Sequence, residues 1–250
     1  MISRRLILLL LVVSACKPGS QQAPAAGNTA EPKIRATVVS IRTTQRPSNA
    51  VHAHQIVIAN GKARNTGERD IWRLFDTEKK TVTTVDDVTG TYSTEAAEVL
   101  LRRQRAVLRE RPPSKVARLE YRLTDETREM FGATARQAVA TAGAYRRELW
   151  IADHPAIPQE LFSMMQASTP PSSPLVSAGA ELELALLDLD GFPMIDRYEL
   201  PFGQSGRFAA DHLVVGVAER DVPQSVLMIP PSYRDVTPRP PPPDRSRKRK

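Results

Sequence analysis

Val51–Ala59 (VHAHQIVIA), Asn60-Gly61 and Lys62–Asn65 (KARN) read as two strands joined by a tight turn. Asn-Gly between extended runs is the strongest short-range hairpin signal, because a type I′ turn needs positive φ at both central residues. Working outward, Lys33–Ile41 is β-branched and extended. Downstream, Thr66-Gly67-Glu68 turns the chain, Ile71–Asp76 makes another strand, and Thr77-Glu78-Lys79 turns it again. Lys80–Val85 pairs back, followed by Asp86-Asp87 and a short extended piece at Thr91-Tyr92. Strand and turn signals at this spacing predict an antiparallel meander.

Ser93 or Thr94 is expected to cap a helix running to about Glu110, with Glu95 near its positive end and Arg109 near its negative end. Ala97, Leu100, Leu101, Val107 and Leu108 share one face, and Pro112-Pro113 ends the helix. Its other arginines, Arg102, Arg103 and Arg105, sit among Glu95, Glu98 and Glu110, as on a solvated face. An anion-binding face is the alternative. Further on, Lys115–Leu123 and Tyr145–Ala152 read as strands, Thr127–Ala142 is ambiguous, and Pro158–Gln166 reads as a short helix. Glu181–Leu189 fits helix or strand, while Gly191–Leu200, Phe208–Glu219 and Ser225–Ile229 read as closing strands. Trp72, Phe75, Tyr121 and Trp150 are expected in the core. The fold class is α+β: a curved, half-barrel-like antiparallel sheet with one or two packed helices.

The start of the chain has a different character. Arg4 and Arg5 precede an apolar run from Leu6 to Val13, which is too short for a span of about 20 residues. The only Cys of the 250 residues, Cys16, ends this leader. Val13-Ser14-Ala15-Cys16 resembles the lipobox of bacterial lipoproteins. That resemblance implies a signal peptide over 1–15, cleavage before Cys16, and lipidation of Cys16 (thiol diacylglycerol, acylated amine, palmitate-type chains). Lys17 in place of Asp implies the outer membrane, facing the periplasm. Residues 16–32 are mostly small and polar and read as a lipidated N-terminus and flexible tether. A single domain then fills 33–237.

Ile71–Tyr92, with Asp76, Lys80, Val82, Asp86 and Tyr92, resembles a hairpin of uncharacterised periplasmic lipoproteins similar to the LolA and LolB carriers. Glu148–Asp153 followed by Pro158, and Ile229-Pro230-Pro231-Ser232-Tyr233, fit the same pattern. The resemblance implies a concave sheet able to hold an acyl chain or a peptide.

Motifs for chemistry are scarce. Gly203-Gln204-Ser205-Gly206 lacks nucleophile-elbow spacing, and no phosphate loop or dinucleotide fingerprint is present, so no cofactor is expected. His52 and His54 alternate, so on a strand both rings share a face, which is half of a metal site that His154, His212 or a carboxylate would complete. Solvent-facing polar positions are the plainer reading of that pair, and no metal is expected. Asp188-x-Asp190-Gly191 has its Gly too early for a calcium loop and reads as a turn.

The formal charge is +7, from 35 Lys+Arg and 28 Asp+Glu. Arg4 and Arg5 account for two of it. Arg239–Lys250, with six basic residues and Asp244, accounts for five, leaving none between Cys16 and Pro238. A nucleic-acid-binding domain is therefore disfavoured. The tail 238–250 is a Pro-rich, basic, disordered end in which Arg245, Arg247, Lys248, Arg249 and Lys250 suit an anionic surface. The expected function is a lipid-anchored, non-enzymatic envelope protein with a carrier-like binding domain for a hydrophobic or envelope ligand. Its partners are the membrane and acyl chains or envelope polymers. A structural tether to anionic envelope polymers and a metal-dependent hydrolase are the alternatives. Labelled palmitate should enter the wild-type chain in cells and be lost in Cys16→Ser; equal labelling of both would sink the lipobox reading.

Overall fold

In a computed structural model, which describes residues 31–110, 120–142, 145–168, 190–202 and 206–238, Asn60 and Gly61 have φ of 51° and 68°. Both central positions of the turn are thus left-handed, as the hairpin reading requires. This turn joins β2 (Ala50–Ala59) to β3 (Lys62–Asn65). Before them lies β1 (Lys33–Arg46), and after them come β4 (Ile71–Asp76), β5 (Thr81–Asp86) and β6 (Thr91–Ala96). The chain continues through α1 (Ala97–Glu110), β7 (Glu120–Met130), β8 (Ala133–Ala142), β9 (Tyr145–Ala152) and α2 (Leu161–Ala167). It closes with β10 (Phe192–Phe202), β11 (Gly206–Pro223), a 3-10 turn (Gln224–Leu227) and β12 (Arg234–Asp235). Among the described residues these strands form one large, open, curved sheet, in the order β12-β6-β5-β4-β3-β2-β1-β11-β10-β9-β8-β7. Every neighbouring pair is antiparallel except β12 with β6, so the sheet is mixed. The class is α+β.

Alternation along the strands separates two apolar layers. Ile58, Ala63, Phe75 and Val82 stand opposite one another across β2 to β5. They belong to the main core, which α2 seals with Leu161, Phe162 and Met164. On the other face Trp72, Leu74 and Val85 are covered by Leu227, Ile229 and Tyr233 of the C-terminal segment. That segment is fastened by backbone bonds from Gln224 to Pro32, Arg234 to Gly90 and Val236 to Tyr92. Asp87 accepts hydrogen bonds from Trp72 Nε1 at 2.8 Å and from the Tyr233 hydroxyl at 3.0 Å. The Arg64 guanidinium lies 3.7 Å from the Trp72 ring centre and donates to the Val226 carbonyl.

Several expectations change. Ser93 and Thr94 do not cap α1; they stay in β6, where the Thr94 hydroxyl meets Thr83 and its amide donates to Thr237. Pairing with both β5 and the C-terminal segment outweighs their capping preference. The helix starts at Ala97, and Glu95, still in the sheet, reaches Arg103 at 2.5 Å. Ser225–Ile229 is not a closing strand: Gln224–Leu227 makes a 3-10 turn that drops Leu227 onto the core. Tyr121 is exposed on β7 rather than buried. Thr127–Ala142 resolves into the end of β7 and all of β8, with the turn at Phe131 and Gly132. Glu181–Leu189, Asp188, Cys16 and the tail beyond Pro238 lie outside the described residues.

Because Leu227 is buried against Trp72 and Val85, Leu227→Ala should cost about 2–5 kcal/mol in urea unfolding, the usual loss for emptying a core leucine site. A loss under about 0.5 kcal/mol, the range of surface changes, would mean that the C-terminal segment is not part of the fold.

Candidate binding cavity

Two bulges shape the middle of the sheet. Between Ser40 and Ile41 the register of β1 on β11 shifts, leaving Val215 as an extra residue. In β10 the register on β9 shifts between Pro193 and Ile195, leaving Met194 extra. Proline removes a ladder donor, so a bulge is where a strand tolerates it. Bulges bend the strand that carries them and increase its twist. Where β1, β2, β9, β10 and β11 curve beneath α2, they leave a cavity of about 300 Å³.

Its walls are mostly apolar: Ile41, Ile56 and Val214 from the sheet, Phe162 and Met165 from α2, and Phe192 at the start of β10. The rings of Phe162 and Phe192 meet edge to face, 6.3 Å apart. Pro193 adds to the apolar walls, and the polar part of the described lining comes from His54, Asn65, Arg147, Gln166, Asp196 and His212, with Tyr198 beside them.

Strand register explains this cluster. Asp196 is opposite His212 across β10 and β11, His212 is opposite Thr43 across β11 and β1, and Thr43 is opposite His52 on β2. Paired residues share a face, so one row of the sheet carries these four. Arg147, one step along β9 and opposite Tyr198, donates to both oxygens of Asp196, through Nε at 2.8 Å and Nη2 at 2.7 Å. Both side chains of this pair are nearly buried, at 5% and 11% exposure. A bidentate guanidinium–carboxylate pair is the arrangement best able to offset the desolvation of two charges. His212 Nδ1 lies 2.9 Å from the Thr43 hydroxyl, and its ring stacks on Tyr198 at 5.7 Å.

Burial pushes His54 below the ordinary imidazole range, and nearby His212 pushes it further. Burial lowers His212 as well; Asp196 opposes this, Arg147 reinforces it and Asp211 opposes it. Both rings therefore face the cavity uncharged at neutral pH.

The structure divides the histidines that the sequence singled out. His54 lines the cavity beside His212, whereas His52 is exposed on the outer part of β2. His154 is a structural residue: the Ala156 amide donates to its Nδ1, and Nε2 lies 3.0 Å from the Phe131 carbonyl oxygen, tying β9 to the β7–β8 turn. Among the described residues no group of three His, Cys, Asp or Glu is placed to hold a metal ion. Arg147 and Asp196 were missed as site residues. Their signal lies in the alternation of YRRELWIA, which puts Arg147 at an inward position, and in the apolar run FPMI that leads into Asp196; a charge in either place requires a buried partner.

Neither a protein-family model nor a curated protein matches the sequence. Among solved structures, PNGF-II in two crystal forms is similar over 82% of this chain, at 10% identity and TM-scores of 0.42 and 0.41. The chain spans about a third of the length of PNGF-II, 31% and 32% in the two forms. A LolA superfamily protein, NE2245 from Nitrosomonas europaea, is a weaker neighbour. It is similar over 80% of this chain and 91% of its own, at 11% identity and a TM-score of 0.25. These likenesses are slight, and the cavity has to be read from its own residues.

The two histidines give the fold a pH dependence of known sign. Their folded-state pKa values lie below the unfolded value of about 6.5, so on acidification the unfolded chain takes up protons first. Their contribution is complete above about pH 6.5 and declines as pH falls toward the folded values. Urea unfolding from about pH 7.5 to about pH 5.5 should show this decline, and the double variant His54→Gln/His212→Gln should have a shallower slope. Equal slopes would contradict the uncharged assignment.

Proposed function

We propose that the chain is an exported lipoprotein, cut before Cys16 and held by its acylated cysteine in the outer membrane facing the periplasm. Its domain binds a small hydrophobic or amphipathic envelope ligand in a half-barrel-like grip, without performing chemistry on it. The observation that carries the binding function is the cavity under α2, with mostly apolar walls and a set of polar side chains among them. Its volume of about 300 Å³ lies at the lower limit of typical ligand pockets, which suits one short acyl chain better than a whole multi-chain lipid. The anchor rests on the Val13–Cys16 lipobox, and a stable anchor needs more than one acyl chain, as a lipidated cysteine supplies.

A second reading, a tether between membrane and anionic polymers, draws support from the C-terminal segment. Thr237 is tied to β6, so the basic run Arg245–Lys250 follows a fixed point on the sheet. The two readings are compatible in one protein.

Met165 lines the cavity from α2 and is only partly buried, so Met165→Trp should fill the space with little strain elsewhere. A fluorescent medium-chain fatty-acyl probe should bind the wild-type protein and bind Met165→Trp at least ~10-fold more weakly, about 1.4 kcal/mol. Unfolding midpoints should stay close. No binding by the wild type, or equal binding by both, would reject the cavity as the site.

A further inference from the structure

We propose that the ligand of this cavity carries an uncharged, hydrogen-bonding head of the alcohol, amide or acylglycerol kind, and is not a fatty-acid anion. This rests on the cavity being the binding site and specifies which chemical class enters it.

The charges in the lining decide the matter. Among the described lining residues Arg147 is the one permanent cation, and it is joined through two hydrogen bonds to Asp196, the one carboxylate. The pair is bidentate and nearly buried, so its two charges offset each other within the described lining. A carboxylate head would have to compete with the nearly buried Asp196 for Arg147. Burying a charge without its own counter-ion is far costlier than burying a hydrogen-bonded neutral group.

The same lining carries groups suited to a neutral head. His212 bonds through Nδ1 to Thr43, which leaves Nε2 toward the cavity. His54, Asn65 and Gln166 bring an imidazole and two amides to the same lining. An uncharged imidazole has one donor and one acceptor nitrogen, and an amide side chain has both functions as well. Such a set matches a head that both donates and accepts, as a hydroxyl or a primary amide does. The low-shifted imidazoles support this, because neither ring presents a cation that would attract an anion at neutral pH.

The test compares three probes of equal chain length, decanol, decanamide and decanoate, by calorimetry on the full chain at about pH 8, where decanoate is fully ionised. Decanol and decanamide should bind at least ~10-fold more tightly than decanoate. Decanoate binding as tightly or more tightly would overturn the neutral-head assignment while leaving the cavity as the site. Binding of none of the three would overturn the binding function and this inference with it. Asp196→Asn removes the carboxylate from the described lining, so in a variant that keeps its circular dichroism spectrum the preference should move toward decanoate by ~10-fold or more. An unchanged preference in such a folded variant would also overturn the assignment. Should the variant fail to fold, the wild-type comparison decides alone.

Discussion

A single sheet of twelve strands has two faces to keep from water, and only two short helices are described to do it. That constraint governs the rest of the structure. The half formed by β1 to β6 is covered on both sides, by α1 and α2 on one and by the C-terminal segment on the other. Helix α2 has only seven residues, too few to fill the curve made by the two bulged strands, and the cavity is the space that remains beneath it. Part of the polar lining is placed by the same geometry, since register sets Asp196, His212 and Thr43 in one row and Arg147 two residues along β9 from the residue opposite Asp196.

The Arg147–Asp196 pair has two consequences. It allows two charges to remain in the interior because each satisfies the other. Under the proposed function it also sets the two charges against each other, so that imidazoles and amides would meet a ligand. A buried pair of this kind contributes little net stability compared with apolar packing.

The half of the sheet from Val51 to Asp86 was legible in the sequence, because turn chemistry and alternation agree there. Asn60-Gly61, Ile71–Asp76 and Tyr145–Ala152 each report a local preference that the tertiary structure keeps. What failed depended on distant partners. Ser93 and Thr94 have good capping side chains, yet β5 and Thr237 hold them in the sheet. Residues 224–227 look extended, but Leu227 fills a site on the Trp72 layer that only the folded sheet creates. Nothing in the sequence alone places Asp87 beside Tyr233. In the structure a hydrogen bond joins the two. The cavity itself was least legible: His54 drew notice for its alternation with His52, but its neighbours His212 and Asp196 lie on strands far along the chain. Only register brings them together.

The central claim, a cavity that holds one short, uncharged amphiphile, is most directly tested on what the protein carries from the cells that produce it. Full-length protein purified in a mild detergent should be extracted with organic solvent, which leaves any lipid bonded to Cys16 on the chain, and the extract read by mass spectrometry. The account predicts a neutral single-chain amphiphile in roughly stoichiometric amount, strongly reduced in Met165→Trp. An extract free of bound lipid, or one dominated by ionised fatty acid in equal amount from both proteins, would contradict it.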